Sequence, residues 1–493
     1  VAHGVVETAV TVKPPPACKN GPLRAAAEAA GDKVKQGGVM GGGQAQAMEF
    51  AAREKGPHIL FTTQSAQGND AGDHPLIEQR MECFQLVYIL PVPVPHPRHG
   101  LGIAGHGRDG DELIALTAEL VRINSVWDPA AGTCEQAVAE KVADWARSQG
   151  FKVQIDQVAP GRPNIIIRGP RGSGSRTLMF EGHTDVVTPG DVASWRYDPF
   201  GASIVGRRMY GRGTNDTKGN LAAMLIAMKS IKTAAINLCG SVIGGVLCDE
   251  EDQMLGVRDF IKKGHADKVT AAVICEPQDG MICTSQKGAL RASYRVTGRM
   301  SHGAMPLSGL NCAPAIARLI DGLQQLEKEA VTAVGSDPYL GWPSFTPTVI
   351  QAPATGAPQL NVMPGEARVL VDIRTTPGQS HQKIIADLQA LAKNVAQRVR
   401  EEYRKYDELL DLQRNHDQAV QVDILTDRPC TLTDPAEPIV KAADWATRSI
   451  TAKTPVYAGV PGATDGTFLW SIKNIPIVTM GAGDRQVPHQ IDE

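Results

Sequence analysis

The sequence predicts an α/β protein with a central, largely parallel sheet and a second domain inserted into the first. Helical and strand-like patterns alternate from residue 112 onward, three apolar strand-like runs each end in an acid or a histidine, and residues 289–426 read β-α-β-β-α-β. At 493 residues the chain exceeds the size at which a single core keeps growing, so more than one domain is expected.

The elements follow in order. ELIALTAELVRI at 112–123 and CEQAVAEKVADWARSQG at 134–150 carry apolar residues at helical spacing, and Gly150 closes the second helix. FKVQIDQV, PNIIIRG and RTLMFEG then read as strands, the last leading into His183. Leu221 to Lys232 is a helix that anchors the loop before it against the sheet. Ser241 to Leu247 and Ala271 to Ile274 are short apolar runs of the buried-strand type, with Pro277 soon after the second. The inserted part begins near Ala289. ALRASYRVTGR is an alternating strand, LNCAPAIARLIDGLQQLEKEA a helix, SFTPTVIQAP and EARVLVDIRT strands, HQKIIADLQALAKNVAQRVREEY a helix and AVQVDIL a closing strand, which is the ferredoxin-like order. The second of these helices runs into REEYRKYDELLDLQRNHD, read as a solvated face. After Thr426 the chain returns to the first domain through the helix IVKAADWATRSI.

Residues 1–108 stand apart. Pro-rich and Gly-rich pieces such as PPPAC, GGVMGGG and LPVPVPHPRHG show no sustained periodicity, so this segment is expected to be weakly structured. Val1 in place of Met points to a processed chain, a GTG start translated literally or an over-extended reading frame, with a genuine regulatory extension as the alternative.

Composition excludes several classes. A hydrophobic content of 42%, a charged content of 21% and a net charge of -3 are those of an ordinary globular protein without a basic field for nucleic acid. No apolar run reaches the roughly 18 residues of a membrane span, and the first residues lack the basic start and apolar core of a secretory signal. Nine scattered cysteines without a CxxC pair, among them Cys239, Cys248 and Cys275 in or beside apolar runs, read as buried free thiols in a reducing compartment. A cytoplasmic location is expected.

Five residues carry the chemistry: His183 in GHTDVV, Asp216 in GRGTNDTKGN, Glu251 in DEE, Glu276 in CEP and His489 in VPHQIDE. Two imidazoles and three carboxylates without a thiolate suit Zn, Mn or Co. One carboxylate shared between two ions would leave each ion a His, a terminal carboxylate and the bridge, which is a two-metal hydrolase arrangement. Taken singly, each residue has a plainer reading. His183 could be a surface or capping residue, but Asp185 lies two positions on, on the same side of the strand end, where it can orient the imidazole. Glu250 and Glu251 beside Asp249 could be a solvated acidic turn, yet they follow an apolar strand, where ligands of α/β sheets bind.

These residues lie in motifs that resemble the M20 metallopeptidase and aminoacylase family, in the branch holding acetylornithine deacetylase and succinyl-diaminopimelate desuccinylase. The matching stretches are GHTDVV at 182–187, WRYDPFGASIVGRRMYGRGTNDTKGNLAAM at 195–224, DEE at 249–251, CEP at 275–277, GRMSHGAMPLSGLN at 298–311, NVMPGEARVLVDIR at 361–374, GATDGTF at 462–468 and GAGDRQVPH at 481–489. The resemblance implies a catalytic domain from 109–288 and 427–493, and a lid and dimerisation domain at 289–426. It implies that His183 and Glu276 hold one divalent ion, Glu251 and His489 a second, and that Asp216 bridges them, with Zn the foremost metal and Co or Mn as alternatives. Glu250 takes the place of the general base, Asp185 supports His183, and His302 reaches the partner subunit's active site to stabilise the oxyanion.

Asn361 and Arg374 match positions that hold the substrate's backbone and carboxylate, although Arg374 could instead form a strand-end ion pair with Asp372. Gly462 and Thr464 belong to a loop resembling the one that lines the acyl pocket. The implied activity is hydrolysis of the amide bond of an N-acyl amino acid or related small amide by attack of a metal-bridging water, in a homodimer that engages neither nucleic acid nor membrane. A dipeptidase, a deaminating aminohydrolase of the same family or an inactive binding homologue are the alternatives. Two departures from the family pattern carry expectations. Four residues follow His489, so that ligand is expected to sit on a frayed tail with a weakly held metal. Asp252-Gln253-Met254 replaces the glycine that often follows DEE, so an altered loop path is expected there.

Overall fold

The computed structural model describes residues 58–60, 88–90, 106–234, 238–414 and 418–493. The expectation for residues 1–108 thus falls largely outside the described residues. Within it, β1 (His58–Leu60) pairs antiparallel with β2 (Tyr88–Leu90).

The main sheet has nine strands. They are β3 (Lys152–Ala159), β4 (Arg162–Arg171), β5 (Arg176–His183), β8 (Gly240–Leu247), β9 (Ala271–Ile274), β10 (Ile282–Gln286), β17 (Thr431–Leu432), β18 (Tyr457–Val460) and β19 (Ile477–Thr479), with β6 (Ser203–Val205) and β7 (Arg208–Tyr210) forming a separate hairpin. At the centre β19, β9, β5 and β8 run parallel in that order, while at one edge β4 pairs antiparallel with β8 and β3 antiparallel with β4. The parallel strands read as continuous apolar runs because helices cover both faces. Ala271 and Val273 of β9 pack with the helices Gln136–Ser148, Lys218–Thr233 and Pro438–Thr451, whereas Ala272 and Ile274 pack with Leu255–Lys262 and Gly466–Lys473. Gly150, at φ 72°, closes its helix as the sequence predicts: its N–H donates to Arg147 O, and that of Phe151 to Ala146 O.

The second sheet orders β13 (Ser344–Gln351), β15 (Glu366–Thr375), β11 (Gly288–Thr297) and β16 (Ala419–Arg428), all antiparallel. With the helices Ala313–Val334 and His381–Leu410 this is the βαββαβ arrangement. Ala367, Val369, Val371 and Ile373 of β15 alternate onto the helices, and the other face of the strand is partly exposed. The two lobes cross at Gly288. A Cβ there would come within 2.2 Å of Thr375 Oγ1 and 2.8 Å of His381 Nε2, so only glycine lets the strands pass. Beside this crossing His381 Nδ1 meets Asp427 Oδ1 at 2.6 Å.

Seven described cysteines are free. Cys248 and Cys275 are buried as expected, while Cys239 is exposed because it lies just ahead of β8. Among the described residues no helix is long and apolar enough to cross a membrane.

Candidate metal centre and active site

Because β9, β5 and β8 are parallel neighbours, their carboxyl ends open side by side. β5 ends in His183, Glu250 and Glu251 follow β8, and Glu276 follows β9. Asp216 comes from the loop before the helix Lys218–Thr233, where Thr217 Oγ1 donates to Cys275 O at 2.8 Å. One turn into that helix Asn220 accepts from Ala482 N at 2.9 Å and donates to Ala482 O at 3.1 Å, tying it to the segment that leads from β19 to His489.

The five predicted ligands meet in two halves joined by Asp216. His183 Nε2 lies 3.2 Å from Asp216 Oδ1 and 3.5 Å from Glu276 Oε1. His489 Nε2 lies 3.0 Å from Glu251 Oε1 and 3.6 Å from Asp216 Oδ2. Each carboxylate oxygen of Asp216 therefore faces a different imidazole. Ligand atoms of His183, Asp216 and Glu251 all fall within 4.8 Å of one another. His183 Nδ1 is 3.0 Å from the backbone oxygen of Asp185 and 3.6 Å from its carboxylate, so the carbonyl chiefly orients the ring and leaves Nε2 to the site.

Charge in this pocket is out of balance without a cation. Burial lifts the carboxyls of Glu250, Glu251 and Glu276 above their ordinary range, and facing carboxylates, Asp216 among them, add to it. Burial opposes protonation of His183, but Glu276 and its other acidic neighbours hold the imidazole above its usual range. Glu276 Oε1 is buried with no hydrogen-bond donor. An orphaned oxygen among crowded carboxylates and imidazoles fits divalent cations, which would let these groups ionise together.

The Glu250-Glu251 loop is held at several points that the sequence reading did not identify. Asp185 Oδ1 accepts from Glu250 N at 3.1 Å and Oδ2 from Glu251 N at 3.0 Å, so its carboxylate serves the acidic loop. Asp249, at φ 66°, accepts from Gln253 N and Leu255 N at 3.2 and 3.1 Å, and its other oxygen meets Arg162 at 2.5 Å. Arg162 also binds Glu135 at 2.5 Å, burying a guanidinium between two carboxylates. Met254 turns the chain at φ 54°, and this is the loop path taken without the family's glycine. From the return strand β16, buried Arg428 donates to Asp252 O.

The remaining predicted residues lie elsewhere. His302 is exposed on β12 (Ser301–His302), which pairs with β14 (Val362–Met363), and Gly303 N donates to Asn361 O at 2.7 Å. His302 and Asn361 thus come together on one paired loop, and among the described residues neither is hydrogen-bonded to the five predicted ligands. Arg374 engages Asp372 through two bonds of 2.6 and 3.2 Å, the ion pair already weighed from the sequence. Thr464 directs its N–H and hydroxyl to Gln286 Oε1 at 3.0 and 2.9 Å, while a Cβ on Gly462 would meet open space. Next to Thr464, Asp465 is fully buried with both carboxylate oxygens unpartnered, and burial followed by the charge of Glu250 raises its carboxyl. Its TDG context gave only a turn signal.

The expected fraying after His489 is not found. Glu493 is 5% exposed, and its carboxylate and carbonyl bind back to the Asp216 loop.

The chain resembles known proteins in sequence and fold. The profile of Peptidase family M20/M25/M40 matches residues 179–493. The acetylornithine deacetylase of Vibrio cholerae is 28% identical over 384 residues, covering 78% of this chain and 91% of that protein. The succinyl-diaminopimelate desuccinylase of Dinoroseobacter shibae is 28% identical over 392 residues, covering 77% and 93%. In fold, a di-peptidase from Saccharomyces cerevisiae superposes with a TM-score of 0.59 at 16% identity, covering 78% of this chain and 91% of that one. The chain therefore belongs to peptidase family M20/M25/M40 and is a hydrolase of that metal-dependent family.

Proposed function

We propose that this enzyme hydrolyses the amide bond of an N-acyl amino acid or a related small amide, using two divalent ions held by His183, Asp216, Glu251, Glu276 and His489. The observation that carries the reading is Asp216, whose Oδ1 faces His183 and whose Oδ2 faces His489. Held there, divalent ions would supply Lewis-acid polarisation of the amide carbonyl and a lowered pKa for bound water. Zn is the foremost candidate on donor type, with Co and Mn next.

Glu250 is buried beside the cluster and takes the proton of the attacking water, then delivers it to the leaving amine. Asp185 fixes the main chain of Glu250 and Glu251, so the base is positioned before substrate arrives. His302 donates to the developing oxyanion, from the partner subunit of a homodimer built through the lid at 289–426. Asn361, Gly462 and Thr464 border the substrate. Arg374 would receive the substrate carboxylate only by leaving or sharing Asp372. The seven free thiols among the described residues accord with a cytoplasmic setting.

A panel of N-acetyl, N-succinyl and N-formyl amino acids, run against dipeptides with Zn, Mn and Co, tests the proposal. Turnover of an N-acyl amino acid with two ions bound per chain is expected. Turnover of dipeptides alone would move the assignment to a dipeptidase, and two bound ions with no turnover would sink it.

A further inference from the structure

We infer that Glu493 is a positioning residue for the metal centre, locking the loop that carries Asp216 to the turn that carries His489. Its Oε1 accepts from the backbone N–H groups of Gly213 and Asp216, both at 3.0 Å. Its Oε2 accepts from the backbone N–H of His489 at 3.2 Å and pairs with Arg212. Arg212 is 2% exposed and also donates to His489 O at 3.2 Å, with its guanidinium 5.2 Å from the ring centroid of Trp195. The Glu493 carbonyl accepts from Gly211 N at 2.9 Å and Thr214 Oγ1 at 3.0 Å.

One buried carboxylate thus touches the main chain of two ligands that lie far apart in sequence. The His489 side needs such a hold. His489 sits at φ 68°, a left-handed conformation that a non-glycine residue keeps only when its surroundings impose it. The imidazole of His489 is half exposed, and little besides Glu251 and Asp216 constrains it, so its placement depends on how its backbone is fixed. His183, by contrast, is buried and supported by its own strand end. The role of Glu493 is accordingly asymmetric. It serves the half of the centre that contains His489, through groups that themselves touch no ion.

This inference rests on the reading of Asp216 and His489 as ligands, and ion counting separates the two. Wild type, Glu493→Gln and Asp492→Asn are loaded with Zn, dialysed, assayed for ions per chain and titrated with a chelator. Glu493→Gln keeps the shape but unpairs Arg212 and turns one acceptor into a donor facing backbone N–H groups. Asp492→Asn removes an equal charge from the neighbouring residue, whose Oδ1 accepts from Arg196 N. Wild type and Asp492→Asn are expected to hold two ions. Glu493→Gln should hold one ion as wild type does and the other on the order of 10- to 100-fold more weakly. Glu493→Asp, which keeps the charge beside Arg212, should give the same split and stands in if the glutamine variant does not fold. Two ions held at wild-type affinity, or equal weakening of both together with a lower Tm, would overturn the positioning role. A wild-type chain that binds no second ion would overturn the two-ion reading and this inference with it.

Discussion

His183 and His302 are treated in opposite ways by the same chain. His183 is 1% exposed, sits at the end of a central strand and has both ring nitrogens engaged. His302 is exposed on a two-residue strand at the lid tip, and its imidazole is held locally, with Nδ1 accepting from Ala304 N at 3.0 Å. His183, proposed to hold a cation continuously, is built into the central sheet, where its order is secured by folding. His302, proposed to act only as charge develops in the transition state, would then sit on a part that arrives with closure. The difference teaches where preorganisation is placed in this enzyme, and it can be tested from both sides.

The largest effect is expected on the rigid side. Glu250→Ala should retain both ions and lose on the order of 100- to 10,000-fold in kcat, as removal of a general base does. Full turnover in the metal-replete variant would remove Glu250 from the mechanism. On the lid side, His302→Ala should cost on the order of 100- to 1,000-fold in kcat with ion content unchanged, the scale of a lost oxyanion donor. Mixing inactive Glu250→Ala chains with inactive His302→Ala chains should restore activity, because one of the two sites in each heterodimer then has both groups intact. Verified heterodimers without activity would mean that His302 serves its own chain or no catalytic purpose.

Supports of the rigid half should register as stability. Arg162→Met leaves Glu135 and Asp249 buried without their cation and should destabilise the fold by about 3–5 kcal/mol in urea unfolding. A subtler effect is expected at Glu135 itself, whose carboxyl is pushed up to about 7, chiefly by burial. A carboxyl raised on folding binds its proton more tightly in the native state, so its contribution to stability declines as pH rises from its ordinary range to about 7 and is level above that. Glu135→Gln should flatten this segment of the stability-against-pH curve relative to wild type, and parallel curves would refute the assignment. The smallest effect is expected from deleting residues 1–105. No proposed catalytic residue lies there, so activity per folded chain should be nearly unchanged, and a large loss would show that the segment supports the body.

Four of the five proposed ligands stand on strong local signals: an apolar run leading to His183, Glu251 or Glu276, and the loop sequence around Asp216. Parallel neighbours β5, β8 and β9 then bring three of them together without further instruction. The inserted βαββαβ order was readable for the same reason, since the alternation of β15 is regular and one face of its sheet is covered. Arg162, Arg212, Arg428 and Glu493 were not legible. Their partners lie far off in sequence, as Arg212 and Glu493 do, and no periodicity marks a buried ion pair or a side chain reaching a distant carbonyl. Glu493 lies four residues after His489, and that spacing read as a loose end because only the folded loop shows what the carboxylate meets. Arg374 gave the converse difficulty. Its bidentate fork suits a substrate carboxylate, and the structure supplies one from Asp372 two residues away.

The order in which the proposed ligands occur along the chain has a consequence for assembly. His183, Asp216 and Glu276 all precede the inserted domain, so the set for one ion is complete before any lid residue has been synthesised. The other ion must wait for His489, after the lid has folded and the chain has come back to the sheet it left at Gly288. Closing that long loop carries an entropic cost that the first set does not meet. Metal uptake would thus be sequential by construction, and occupancy of the second position would report that synthesis, insertion and return have all been completed.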